Sequence, residues 1–148
     1  MAALVMFASC GGADQVSGPL GSTITAGDYQ LTVANMEDHA QPPDRFTNPK
    51  PGNRFVKFDL TVNNQGNQHL PVQAAHFTLR DTGGIDYPPM RGVPTDTGLR
   101  ETSLAPGQHV TTVLYFEMSG AANQRPSQLI FAPAVVGWRT RVTVELPG

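Results

Sequence analysis

The sequence predicts an all-β fold, an antiparallel sandwich of about seven or eight short strands. Three observations lead there. Arg54 to Asn64 alternates on a two-residue period, with Val56, Phe58, Leu60 and Val62 on one side and Lys57, Asp59 and Thr61 on the other, as in a strand with one buried face. The 15 glycines and 13 prolines are spread along 148 residues of which only 15% are charged, a composition that suits many turns and disfavours long helices. Shorter alternating runs flank the central one, and a strand that cannot bury its own apolar face needs them as partners in two sheets.

At the N-terminus, Met1 to Phe7 is apolar and leads through Ala8-Ser9 to Cys10, the one cysteine. An apolar run ending in small residues has the shape of a secretory signal and its cleavage site. Phe7-Ala8-Ser9-Cys10 resembles the lipobox of bacterial lipoproteins, with Phe7 where Leu is usual. That resemblance implies a diacylated Cys10 at the start of the mature chain. The run is short and no Lys or Arg precedes it, as a start codon assigned too far downstream would leave it. Residues 1–10 are therefore expected to be a signal-peptide remnant with its lipobox, 11–21 a flexible tether, and 22–148 the folded domain. A Gly-rich tether of that length has a typical reach of about 20 Å. A single cysteine allows neither an intramolecular disulfide nor a cysteine-based zinc site, so packing alone must hold the fold.

Along the chain, Ile24 and then Tyr29, Leu31 and Val33 form the opening strand or hairpin, with Ala26-Gly27-Asp28 as the turn. From Met36 to Asn53 the proline density forbids continuous strand or helix, and a loop of that length is a candidate binding surface. After the central strand, Asn63 to Gln68 is a turn. Leu70, Val72 and Ala74 lie in one phase and Phe77 and Leu79 in the other, so a bulge or short break is expected at Ala74-Ala75. Asp81-Thr82-Gly83-Gly84 turns the chain towards Ile85 and Tyr87, and Pro88 to Ser103 reads as a second long loop. His109 to Met118 is apolar on both sides, which predicts a central rather than an edge strand. Gln128 to Ala132 is a short strand. Trp138, Thr140, Val142, Val144 and Leu146 alternate with Arg139, Arg141, Thr143 and Glu145 to close the domain, with Trp138 expected in the core.

Composition also narrows the function classes. A net charge of −2 and the lack of a basic helix give no footprint for nucleic acid, which is excluded as an expected partner. No run approaches the roughly 18 apolar residues of a membrane-spanning helix, so the expected membrane contact is the lipid on Cys10. There is no Gly-x-Ser-x-Gly elbow and no phosphate-binding Gly-x-x-x-x-Gly-Lys-Ser/Thr loop, and no catalytic residue is assigned.

The residues expected to shape an interface lie in the two long loops: Glu37, Asp38, His39, Asp44, Arg45 and Phe46 in the first, and Met90, Arg91 and Arg100 in the second. Glu37, Asp38, His39 and Asp44 also supply three carboxylates and an imidazole, the chemistry of a hard-cation or zinc site, but without the fixed spacing of a calcium loop. The alternative function is accordingly an envelope metal-binding or metal-delivery protein using that loop. His39, His69, His76 and His109 with Met36, Met90 and Met118 do not make a copper site of the sandwich type, because the cysteine ligand is absent from the fold; His76 and His109 are expected on or near a surface. No cofactor is expected.

Tyr29-Gln-Leu-Thr-Val, Gly52-Asn-Arg-Phe-Val-Lys-Phe-Asp-Leu-Thr-Val-Asn-Asn, Phe77-Thr-Leu-Arg-Asp-Thr-Gly-Gly with Tyr87, Leu104-Ala-Pro-Gly-Gln and Val113-Leu-Tyr-Phe-Glu, taken together, resemble one family. It is the immunoglobulin-like domain of uncharacterised bacterial lipoproteins and secreted proteins, related in form to a small immunoprotective antigen of mycobacteria. The resemblance covers roughly residues 22–146. It implies an immunoglobulin-like β-sandwich outside the cytoplasm with no established enzymatic activity, and it brings no catalytic residues. The expected function is a lipid-anchored, extracytoplasmic binding or interaction module of the cell envelope, its partner an envelope protein or a small ligand.

Overall fold

The structure is a computed structural model and describes residues 15–90, 102–133, 135 and 139–147. These form eleven strands: β1 (Gln15–Pro19), β2 (Thr23–Ala26), β3 (Tyr29–Asp38), β4 (Asn53–Asn64), β5 (Leu70–Val72), β6 (Phe77–Asp81), β7 (Asp86–Tyr87), β8 (Thr102–Leu104), β9 (His109–Ser119), β10 (Pro126–Phe131) and β11 (Arg141–Glu145). One sheet has the order β1-β11-β10-β6-β7 and the other β2-β3-β4-β9, with β5 and β8 as a small separate ribbon. The sandwich expected from the alternation is present, in more strands than the seven or eight expected. Among the described residues no helix is long and apolar enough to cross a membrane.

β4 is the organising strand. It pairs with β3 on one side and, from Asn53 opposite Ser119 to Asn63 opposite His109, with β9 on the other. Val56, Phe58, Leu60 and Val62 all point into the core and are buried. Leu79 of β6, Leu129 and Phe131 of β10, and Val142 and Val144 of β11 meet them from the facing sheet. Each such side chain contributes about 1.5–3 kcal/mol by leaving water. Aromatic contacts add direction: Phe77 stacks on Phe131 at 4.6 Å, and Tyr29 meets the same ring edge-on at 5.3 Å.

Four expectations are corrected. Gln15–Pro19 was expected within the tether but is β1, paired in parallel with β11; its pairing uses backbone groups, and at Gly18 a Cβ would stand 2.9 Å from Ile24 Cγ1, so the missing side chain is a packing requirement. β3 continues to Asp38, which leaves residues 39–52 as the connecting loop. β9 is the outer strand of its sheet rather than a central one. Its second apolar side is covered from outside, where Val113 and Tyr115 pack with Phe55, Ala40 and Met90. The segment after β7 achieves this by crossing over: Pro89 bridges to Phe116 and the Met90 N–H donates to the Tyr115 carbonyl at 2.9 Å. His76, expected near a surface, is buried beside Phe131, with ring centroids 6.3 Å apart. It ends a single 3-10 turn, Ala74–His76, which is the break anticipated between the two apolar phases.

The pairing register fixes which loops share an end. β1 rises from Gln15, beside Arg141, to Pro19, beside Glu145. Glu145 lies opposite Gln128, which lies opposite Arg80, next to the turn after Asp81. β10 begins at Pro126, opposite Asp81, and β9 ends at Ser119, opposite Asn53, so the β3–β4 loop, the β6–β7 turn and the β9–β10 loop open at one end of the sandwich, and β1 begins at the other. Residues 1–14, 91–101 and Trp138 lie outside the described residues, and with them the signal, the lipobox and much of the second long loop.

Candidate functional site

At the root of the β3–β4 loop, Arg54 occupies the apolar phase of β4 and is 7% exposed. A guanidinium there must find acceptors, since a buried charge without partners costs several kcal/mol (about 2–7 even for a neutral polar group). Its Nε donates to Asp38 Oδ1 at 2.6 Å and its Nη2 to Asp38 Oδ2 at 3.3 Å, while Nη1 and Nη2 reach the carbonyls of Ser119 and Gln124. The Gln124 side-chain amide then donates to Asp81 Oδ2 at 3.3 Å. Asp81 Oδ1 accepts the N–H groups of Gly83 and Ile85 at 2.8 and 3.0 Å, and Oδ2 accepts the Tyr87 hydroxyl at 2.8 Å. One polar chain thus ties β3 and β4 of one sheet to β6 and β7 of the other.

The electrostatics follow from those contacts. Burial alone would push the Asp81 carboxyl up, but the donors from Ile85, Tyr87, Gly83 and Gln124 outweigh it and hold the group below the usual carboxylate range. Burial and the Asp81 carboxylate together push the Tyr87 phenol up. On the edge strand, the hydrogen bond from Arg80 at 2.7 Å holds Asp86 down.

The loop itself is pinned at both ends. Ala40 is buried and its N–H donates to the Phe55 carbonyl at 2.9 Å. At the other end Glu117 Oε2 accepts the Lys50 N–H at 2.6 Å and the Asn53 amide at 2.9 Å, and the Gly120 N–H donates to the Gly52 carbonyl at 2.7 Å. Between these points Asp44 Oδ1 accepts the Phe46 N–H at 2.7 Å and the Thr47 hydroxyl at 3.0 Å, an Asp-capped turn. That turn leaves Phe46 82% exposed, with the Arg45 guanidinium 5.1 Å above its ring.

The expected metal ligands do not converge. Glu37 turns to Lys57 (3.8 Å), Asp38 to Arg54, and Asp44 into its own turn. His39 adopts a left-handed φ of 60° and projects outward, its Nδ1 3.5 Å from Asp38 Oδ1. Among the described residues no three His, Cys, Asp or Glu side chains are grouped to hold a metal. Met90 is half-buried against Tyr115 rather than displayed on a loop, while Cys10, Arg91 and Arg100 lie outside the described residues. Arg45 and Phe46 are where the sequence places them, on an exposed turn. The sequence reading missed Arg54, Asp81, Gln124 and Ile85. The signal was available for two: Arg54 shares phase with Val56 and Phe58, and Asp81 with Phe77 and Leu79, and a charged residue in an apolar phase announces a buried partner.

The family described as a domain of unknown function, DUF4352, matches residues 18–140. Among solved structures, the chain is similar to the candidate lipoprotein ycdA of Bacillus subtilis, at 17% identity and a TM-score of 0.70, over 85% of this chain and 38% of that one. It is also similar to the yjhA protein of Bacillus subtilis, at 18% identity and a TM-score of 0.64, over 87% and 98% of the two chains. The Mycobacterium tuberculosis secreted protein MPT63 resembles it at 19% identity and a TM-score of 0.62, over 87% and 95%. The chain thus spans well under half of ycdA and nearly all of the other two. At these identities the likeness shows the β-sandwich fold. No curated protein matches the sequence.

Proposed function

This chain belongs to the DUF4352 family, a domain of unknown function, and from that premise we propose that it is a lipid-anchored, extracytoplasmic binding module of the bacterial cell envelope, without catalytic activity. The supporting observation is polarity along the sandwich. β1 begins at one end, while the loop bearing Arg45 and Phe46 opens at the other, the end that also carries the β6–β7 turn. A domain held by an N-terminal lipid on Cys10 would carry those loops away from the membrane, where a partner can reach them. The resemblance to a candidate lipoprotein and to a secreted protein supports that setting. The net charge of −2 supports a protein or small-molecule partner over nucleic acid.

Intact-mass measurement of the mature protein extracted from host membranes tests the reading. A chain that begins at Cys10 and carries diacylglyceryl mass is the expected result. An unmodified chain that retains Met1 to Ser9 overturns the anchor.

A further inference from the structure

We propose that Phe46, with Arg45 stacked on it, is the anchor by which this domain docks on a partner protein that offers an apolar pocket with a carboxylate at its rim, and that Ile85 is a second contact at the same end of the sandwich. The inference rests on the reading of the domain as a binding module and names the surface and the partner chemistry.

Among the described residues Phe46 and Ile85 are the exposed large hydrophobics, at 82% and 48%, against more than twenty apolar side chains that are buried. A singly exposed apolar side chain is ordinary on a protein surface; what sets these two apart is that each is held in place at the same end of the sandwich. Both are held by the same device. The Phe46 N–H is bound by Asp44 Oδ1 at 2.7 Å and the Ile85 N–H by Asp81 Oδ1 at 3.0 Å, so each turn is fixed before any partner arrives. The two turns are also mounted on one framework, because Asp81 is joined through Gln124 to Arg54, and Arg54 to Asp38 at the root of the Phe46 loop. Preorganisation of this kind lowers the ordering cost of association. Phenylalanine and arginine are both among the residues enriched in the cores of protein–protein interfaces.

Charge selects the partner further. The acidic groups of the loop end are already engaged: Asp44 by its turn, Asp38 by Arg54, and Glu117 by the Lys50 N–H and the Asn53 amide. Among the described residues the side chains of Arg45 and Lys50 form no ion pair. A carboxylate beside the pocket that receives Phe46 would satisfy the Arg45 guanidinium, and charge-assisted pairs of this geometry are the strong ones. A bilayer fits less well, because two apolar side chains on separate turns bury little area and the net charge of −2 gives no attraction to anionic lipid.

The test places a photo-reactive benzoylphenylalanine at position 46, 85 or, as a control on the outer face of β9, 111 of the full chain in host cells. The cross-linked protein is then identified, purified and titrated calorimetrically. One envelope protein captured from positions 46 and 85 but not from 111 is expected, with its dissociation constant raised at least about 30-fold by Phe46→Ala, the scale of a hot-spot residue. Arg45→Ala is expected to give a smaller loss, and Phe46→Trp to retain binding. Capture from 46 no stronger than from 111, a second copy of this chain as the captured protein, or an affinity indifferent to Phe46→Ala overturns the proposal. So does Phe46-dependent sedimentation with phosphatidylglycerol vesicles. Phe46 is exposed, so Phe46→Ala should fold normally, and an unchanged melting temperature verifies it. An unlipidated chain that still cross-links refutes the anchor alone, whereas an anchored chain that fails to cross-link refutes the docking surface.

Discussion

The Nε of Arg54 donates to Oδ1 of Asp38 across 2.6 Å, and this pair joins the second residue of β4 to the last residue of β3 where the 39–52 loop leaves the sheet. The strands are already paired there, Asp38 opposite Val56. The ion pair adds a link out of their plane, through Gln124, towards the facing sheet. Taking two charges out of water roughly cancels their attraction, so a buried pair of this kind specifies geometry more than it adds stability.

Breaking the pair from one side is a different matter. Arg54→Ala takes this donor from the carbonyls of Ser119 and Gln124 and leaves the Asp38 carboxylate its His39 N–H but no countercharge, and is expected to lower the unfolding free energy by about 3–5 kcal/mol. Asp38 has a side chain 29% exposed, so water can substitute in part and Asp38→Asn should cost only about 1–2 kcal/mol. Urea unfolding with an unchanged slope measures both. An Arg54→Ala protein with the parent's midpoint would show that the network carries no stability.

At the opposite end of the core, the fully buried Tyr29 donates its hydroxyl to the Pro71 carbonyl at 2.7 Å. Burial, and then the nearby Asp28 carboxylate, push the phenol well above its ordinary range. The unfolded chain releases that proton near pH 10 while the folded chain keeps it, so the stability contributed by neutral Tyr29 is complete below about pH 10 and declines as pH rises further. Tyr29→Phe is expected to cost about 1–2 kcal/mol at neutral pH, through the lost hydrogen bond, and to remove part of the alkaline loss. Melting temperatures of the two proteins between neutrality and pH 11 should therefore converge.

Much of this fold was legible because β4 writes its orientation in one-sided alternation. What escaped did so for physical reasons. β1 contributes backbone pairing and, at Gly18, the absence of a side chain, so Gln15-Val-Ser-Gly-Pro reads as a tether although it is a sheet edge. A strand apolar on both sides reads the same whether neighbouring strands flank it or loops cover it, and Ala40 and Met90 made β9 the second case. Glu37, Asp38 and His39 looked like one cluster because they adjoin in sequence. Successive side chains of a strand leave opposite faces, and that rule sends Glu37 to Lys57 and Asp38 to Arg54. Arg45 and Phe46 were legible as a polar, Pro-flanked turn, but their exposure and stacking needed the Asp44 cap, a contact that any of several loop carboxylates could have made.

The close approach of the β3–β4 and β9–β10 loops depends on Gly120. Its N–H donates to the Gly52 carbonyl at 2.7 Å, and a Cβ on Gly120 would also stand 2.7 Å from that oxygen. The obstacle is backbone rather than a side-chain tip that can swing away. Gly120→Ala is thus expected to destabilise by about 1–3 kcal/mol, the usual cost of forcing atoms into a packed contact. Amide hydrogen exchange should quicken locally at position 120 and at Lys50, whose N–H is held by Glu117 in the same junction. A Gly120→Ala protein with unaltered exchange and stability would mean that the loops can separate freely.

Acid should open this end of the molecule first, and Asp81 is the reason. Burial works to raise its carboxyl, but the donors from Ile85, Tyr87, Gly83 and Gln124 overcome that cost and hold it below the usual range in the folded chain. The unfolded carboxyl has a value near 3.9, so the folded state binds fewer protons as pH falls past that point. Stability from Asp81 is therefore complete above about pH 4 to 5 and is lost as pH drops through the depressed folded value. Asp86, held down mainly by Arg80, titrates in the same direction on the neighbouring strand. Asp81→Asn should be less stable than the parent at pH 7, since an amide cannot accept as strongly from four donors, and its stability should fall less steeply below pH 4. Thermal unfolding of both proteins across pH 2.5–7, with hydrogen exchange at Gly83 and Ile85, separates the outcomes; parallel pH profiles would remove Asp81 as the acid-sensitive tie.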